Sequence, residues 1–274
     1  MGKIKREDGY VYFGAFPQTV KREDVQLTDQ KDARGYILGS DGAYYAEVKS
    51  AKPFEHEYVF STGAALTSGS TYYFKVEPIK WRVLREEKGA LLLVSERILA
   101  AHCYEGWEPK NPKHNNYKRS AVRKWLYDVF YAAAFDEEEQ AMVQKVKVAN
   151  GAASTGMVVN RCACRNTKDK VFLLSVQDVT NPLYGFSQEE KKGDSARLKA
   201  PTDYALAMGL RMSDLGGEYH YDVGGWWLRS PFYDKKRDFT YYYANYVDED
   251  GYVEGIMTTD DYVGVVPAVY IALD

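Results

Sequence analysis

Apolar and polar positions alternate along the first third of the chain and again near its end, with helical spacing between. Residues 10–17, YVYFGAFP, alternate aromatic and small side chains and predict a strand ended by Pro17. Residues 21–35 are densely charged and predict an exposed excursion. YILGSDGAYYAEV (36–48) and YVFSTGAALTSGSTYYFKVEPIKWRVL (58–84) then read as short strands, with Ser40-Asp41-Gly42 and Ser68-Gly69-Ser70 as turns. Within Tyr72–Leu84 the apolar positions alternate around Pro78, which predicts two strands or one bulged edge strand. The continuous apolar run ALLLVS (90–95) predicts a strand covered on both faces.

Helical spacing is clearest between Ser120 and Gln140, where Ser120 caps the start and Val122, Trp125, Leu126 and Val129 recur on one face. A second short helix is predicted at Asp136–Val146, with Glu137, Glu138 and Glu139 complementing its N-terminus. A third opens at Pro201-Thr202-Asp203 and stops at Gly209. Residues 170–176, KVFLLSV, read as an apolar strand or short buried segment.

From Gly224 onward the pattern is β again. Trp226 and Trp227 are adjacent, so a strand would send one to the core and the other away. Phe239–Asp248 reads as a strand, Asp250-Gly251 as a turn, and Tyr252–Met257 as the returning hairpin partner. Val263–Leu273 is the last strand, interrupted by Pro267. Strands at both ends with helices between predict one α+β domain over residues 1–274, with two to three helices and mixed antiparallel sheets.

The chain is 45% hydrophobic, enough for a sizeable core, and its net charge of −3 gives no global basic field for nucleic acid. Cys103, Cys162 and Cys164 are too few, and odd in number, for a disulfide framework. The polar N-terminus has no leader-type apolar stretch, and no run is long enough to span a bilayer. The default expectation is therefore cytoplasmic, with surface display by another route as the alternative. His56, His102, His114 and His220 show no metal-ligand spacing. Arg161-Cys162-Ala163-Cys164-Arg165 is the most suggestive chemical fragment, since flanking arginines lower a thiol pKa, but a structural role is favoured. With no nucleophile elbow, phosphate loop or dinucleotide fingerprint, the expectation is a non-enzymatic protein without a cofactor.

One segment departs from ordinary composition. Residues 231–261, PFYDKKRDFTYYYANYVDEDGYVEGIMTTDD, hold six tyrosines among Asp, Lys, Thr and Asn. If residues 239–248 form a strand, both faces carry Tyr: one set packs on the core and the other is displayed. Tyr with short polar residues is how binding loops gain contact area at low entropic cost. The candidate ligand-binding residues are Phe232, Tyr233, Asp234, Phe239, Tyr241, Tyr243, Tyr246, Asp248 and Tyr252, facing a protein or glycan. The plainer alternative is an aromatic edge hairpin with no ligand. Arg229 reads either as a clamp on a carboxylate or as the base of the binding surface, with the clamp favoured.

The elements YFGAFPQ (12–18), VEPIKWRVL (76–84), LLLVSERIL (91–99), SAVRKWLYDVFYAAAF (120–135), DKVFLLSVQDV (169–179), APTDYALAMG (200–209), GGWWLRSP (224–231) and GVVPAVYI (264–271) occur in order. Together they resemble the bacterial domain of unknown function 6273 family over nearly the whole chain. The resemblance implies a C-type-lectin-like fold with paired terminal strands and a long loop region that displays binding residues. It also implies kinship with formylglycine-generating enzymes and with variable proteins of diversity-generating retroelements, whose varied positions lie between a WWLRSP-like element and the final strand. Residues 232–261 occupy that interval. Two departures matter: Val266 stands where the family has Arg, and Cys162 and Cys164 are badly placed for a copper-binding thiol pair. A formylglycine-generating-like enzyme with an unidentified substrate is the alternative function.

Overall fold

The computed structural model describes residues 4–54, 58–106, 114–213, 222–236 and 240–273. The strands are β1 (Lys5–Glu7), β2 (Tyr10–Val20), β3 (Leu27–Lys31), β4 (Ile37–Gly39), β5 (Tyr44–Val48), β6 (Tyr72–Glu87), β7 (Ala90–Ser95) and β8 (Ala100–Ala101). They continue as β9 (Val146–Val148), β10 (Thr167–Asp169), β11 (Val171–Phe172), β12 (Trp226–Pro231), β13 (Tyr243–Val247), β14 (Val253–Met257), β15 (Gly264–Val265) and β16 (Ala268–Ala272). The helices are α1 (Ala121–Trp125), α2 (Tyr131–Ala134), α3 (Glu137–Met142), α4 (Val176–Val179) and α5 (Asp203–Ala207). The architecture is therefore α+β with mostly antiparallel sheets.

The larger sheet runs β11-β16-β7-β6-β5-β4-β3, with β2 on the other edge of β6 and β1 beyond it. β6 is one 16-residue strand paired on both sides, neither two strands nor an edge. Pro78 is tolerated because β5 pairs only with Tyr72–Lys75 and β7 only from Trp81 onward, leaving a gap beside the residue that lacks an N–H. On the β2 side the register shifts twice, and Gln18 Nε2 donates to the carbonyls of Glu77 and Pro78 at 3.0 and 3.1 Å. The bulges also carry β2 past Pro17 to Val20, three residues beyond its predicted end. The charged excursion likewise contains a strand, β3, which forms the far edge of the sheet.

The terminal strands share this sheet but do not pair. β16 lies between β7 and β11, while β2 pairs with β1 and β6, so two strands separate them. The apolar run of β7 occupies the central position and takes the place on β16 that pairing with the N-terminal strand would need.

α1 starts as predicted, with the Ser120 side chain accepting from Arg123 N at 3.3 Å. A π-helical turn, Leu126–Phe130, then separates it from α2. That turn moves the inward face forward by one residue. Phe130 and Ala134 are buried, while Val129, expected inside, is exposed. Phe130 and Phe135 pack on β2 through Phe16 and Phe13, with ring centroids 5.1 and 5.2 Å apart. α3 begins at an Asp136–Glu139 capping box, and α5 at a Thr202 cap, with Gly209 at φ +104° ending the turn that follows.

The second sheet runs β14-β13-β12-β15-β8. Every residue of β12 is buried, so both Trp226 and Trp227 lie inside, contrary to a one-in, one-out strand. β12 is a central strand covered on both faces: Trp227 Nε1 donates to His102 O and its ring meets Tyr104, while Trp226 Nε1 donates to Arg197 O. β13 starts at Tyr243, later than expected, because Thr240–Tyr242 winds into a 3-10 turn.

Candidate ligand-binding site

The chain leaves the buried strand β12 at Pro231 and returns to the same sheet at Tyr243. One buried residue ties the two ends of this excursion together. Asn115 Nδ2 donates to the carbonyls of Phe232, Thr240 and Tyr243 at 3.3, 3.0 and 2.9 Å, and Asn115 N donates to Tyr241 O at 3.1 Å. Asn160 Nδ2 donates to Pro231 O at 3.1 Å from below. Sequence pattern gave no sign of either asparagine, because their spacing in the chain carries no periodic signal.

Above this anchor lies an open cleft of about 520 Å³. Its walls include Phe232, Tyr233, Asp234 and Tyr243, four of the sequence-derived candidates, together with Met157, Lys191, Lys235, Lys236, Glu254 and Gly255. Phe232 lies over Gly255 of β14, where a Cβ would come within 2.5 Å of its ring, and its centroid is 6.2 Å from that of Tyr243. The glycine is what lets the ring lie flat against the hairpin. Asp234 Oδ1 accepts from Lys236 N at 2.9 Å, which turns the loop and presents the two exposed lysines.

The remaining candidates fall elsewhere. Tyr241 packs against Tyr242, with centroids 4.4 Å apart, beside the loop anchor. Tyr246 lies half-buried over Gly225 and Trp227, and burial, reinforced by Glu249 and Asp248, pushes its phenol up. Asp248 shapes the β13–β14 turn: its carboxylate accepts from Asp250 N at 3.1 Å and Tyr252 N at 2.8 Å. Tyr252 is half-buried at that turn. Phe239, with His56 and His220, lies outside the described residues.

Arg229 is a clamp. Its guanidinium is buried, donates to Ala149 O and Leu173 O, and meets Asp178 at 2.7 Å. Burial alone would raise the Asp178 carboxyl, but Arg229 and the Ser175 amide and hydroxyl outweigh it and hold the group below its ordinary value. Val266 is fully buried among apolar side chains. The Cys-Ala-Cys fragment is a support beneath the loop: Cys162 Sγ sits 3.8 Å from Thr240 Oγ1 and its N–H donates to Asn160. Burial pushes the Cys164 thiol up, against the activation that flanking arginines would suggest. Among the described residues no group of three or more His, Cys, Asp or Glu side chains is arranged to hold a metal ion. No helix among them is long and apolar enough to cross a membrane.

A family profile described as a domain of unknown function (DUF6273) matches residues 88–273, which include the anchor asparagines, the clamp and the whole cleft. The chain belongs to the DUF6273 family. The DUF6273 match begins after YFGAFPQ and VEPIKWRVL, so the strands that build the outer part of the larger sheet lie outside it. No curated protein and no solved structure matches the chain.

Proposed function

We propose that this DUF6273 protein is a non-enzymatic binding protein that recognises a protein or glycan through its Tyr- and Asp-bearing C-terminal surface. The observation that carries it is convergence: Phe232, Tyr233, Asp234 and Tyr243, eleven positions apart at the extremes, line one open cleft. Half-buried aromatic walls with charged side chains at the rim are the chemistry of recognition surfaces. The loop is displayed from a buried strand and held by Asn115, so its outer side chains can change without cost to the core.

A C-type-lectin-like fold is consistent with a loop-rich second sheet that presents this surface, although the terminal strands share a sheet without pairing. We extend the proposal to a retroelement variable protein, since residues 232–261 lie between the WWLRSP strand and the final strands. That origin calls for a near-copy of the codons for residues 226–269 beside the gene, differing mainly at adenines. Without such a copy the protein is a binder of fixed specificity.

Binding itself is tested by panning a random peptide library and a glycan array against the wild-type protein and a Tyr233→Ala, Tyr243→Ala double variant. We expect ligands retained by wild type to be lost by the variant while Tm stays within a few degrees. Equal retention by both proteins would overturn the assignment of the cleft.

A further inference from the structure

The second sheet ends at β14, and the hydrogen-bond phase of its hairpin shows which backbone groups point outward. In an antiparallel ladder, residues alternate between directing N–H and C=O at the partner strand and away from it. Asp248 N donates to Tyr252 O at 3.0 Å and Thr258 N to Tyr242 O at 2.8 Å. With β13 and β14 in that register, Glu254 and Ile256 face β13, while Val253, Gly255 and Met257 face outward. Two of the outward groups at the start and one at the end are already taken. Val253 N donates to Glu190 O at 2.8 Å, Val253 O accepts from Lys191 Nζ at 2.9 Å, and Met257 O accepts from Asp260 N at 3.1 Å. Among the described residues the Gly255 N–H, the Gly255 C=O and the Met257 N–H remain, a donor–acceptor–donor row along the edge of the sheet.

This row borders the cleft rather than lying at a distance from it, since Gly255 and Glu254 are among the cleft walls. The surroundings are apolar and cationic together. Met157 lines the cleft, and the two residues after it are out in solvent, Val158 98% and Val159 53% exposed. Met257 on the edge itself is 44% exposed. Lys191 is matched by Glu254 at 2.7 Å, but Lys235 and Lys236 make no ion pair among the described residues. Protected edges carry inward-pointing charge, bulges or covering loops. Among the described residues the Gly255–Met257 stretch has none of these.

We propose that the ligand of this site is an extended peptide that adds to β14 as a further strand, its main chain bonded to Gly255 and Met257. Its cleft-facing side chains include carboxylates that meet Lys235 and Lys236 beside Phe232 and Met157, and the alternate, β-branched set points to the opposite face. Strand addition draws affinity from main-chain bonds and specificity from alternate side chains. A glycan has no matching alternation of donors and acceptors at strand spacing. The proposal rests on the ligand-binding reading of the same cleft.

The test uses fluorescence polarisation with a labelled peptide of alternating Val and Glu on the full-length protein. Two versions carry backbone N-methyl groups, one on each alternate set of residues. Strand addition requires that methylation of one set weaken binding about tenfold or more while the other set changes it little. Met257→Pro removes one outward N–H without breaking a ladder bond and should also weaken binding, whereas Met257→Ala should not. The methylation pair leaves the protein untouched, so it decides the matter even if Met257→Pro folds poorly. Equal effects of the two methylations, or no binding up to about 1 mM, would overturn strand addition. Peptide binding that ignores methylation but disappears in Tyr233→Ala would overturn it too, while leaving the cleft assignment in place. Parity-dependent binding that ignores Tyr233→Ala and Tyr243→Ala would keep the strand and sink the aromatic cleft.

Discussion

Arg229 shows how a single charged residue can hold a strand in a core. It lies on the fully buried β12, and its guanidinium is matched by Asp178 at 2.7 Å and by the carbonyls of Ala149 and Leu173. Removing one partner of such a pair strands the other without compensation and costs about 3–5 kcal/mol. Asp178→Asn should therefore lower stability by about that amount at pH 7, read from urea unfolding. Because the folded Asp178 carboxyl is held below its ordinary value, its contribution is fully present above about pH 4 and fades as the pH falls through the folded value. Wild type and variant should converge in acid. A gap that stayed constant down to about pH 2 would show that the ion pair is not what Asn removes. The clamp was legible in the sequence as one of two choices for Arg229, but the partner was not, since 51 residues separate the pair.

At the level of elements, those governed by local rules were the readable ones. Ser120, Asp136 and Thr202 cap helices where hydroxyl or carboxylate precedes the apolar periodicity, and Gly251 at φ +81° makes the hairpin turn after Asp250. The misreadings arose where tertiary contacts overrode the local pattern. Pro78 suggested an edge, yet β6 is central because the neighbouring strands stop short of it. The helical stripe through Val129 fails because one π turn rotates everything after Leu126, and no residue type marks that turn. Strand alternation alone sent one of Trp226 and Trp227 away from the core, but both are buried, with Tyr104 and Tyr246 covering Trp227. In the same way, alternation along residues 239–248 could not foresee the 3-10 turn at Thr240–Tyr242, which gathers Tyr243 to the cleft and leaves Tyr246 over Trp227.

Across the whole molecule, the two sheets divide the labour. The larger one brings Trp81, Phe74 and the β7 leucines into the core, fully or nearly fully buried. The smaller one carries the proposed recognition loop between β12 and β13 and has β14 at one edge. A ligand held there should leave a local footprint. Amide hydrogen exchange with a ligand recovered by panning measures that footprint directly. We expect slowed exchange at residues 232–236, 243 and 254–257, with the rest of the chain unchanged. Protection confined instead to the separate cleft of about 510 Å³ lined by Tyr58, Arg97, Asp203 and Met212 would contradict the assignment and move the binding site there.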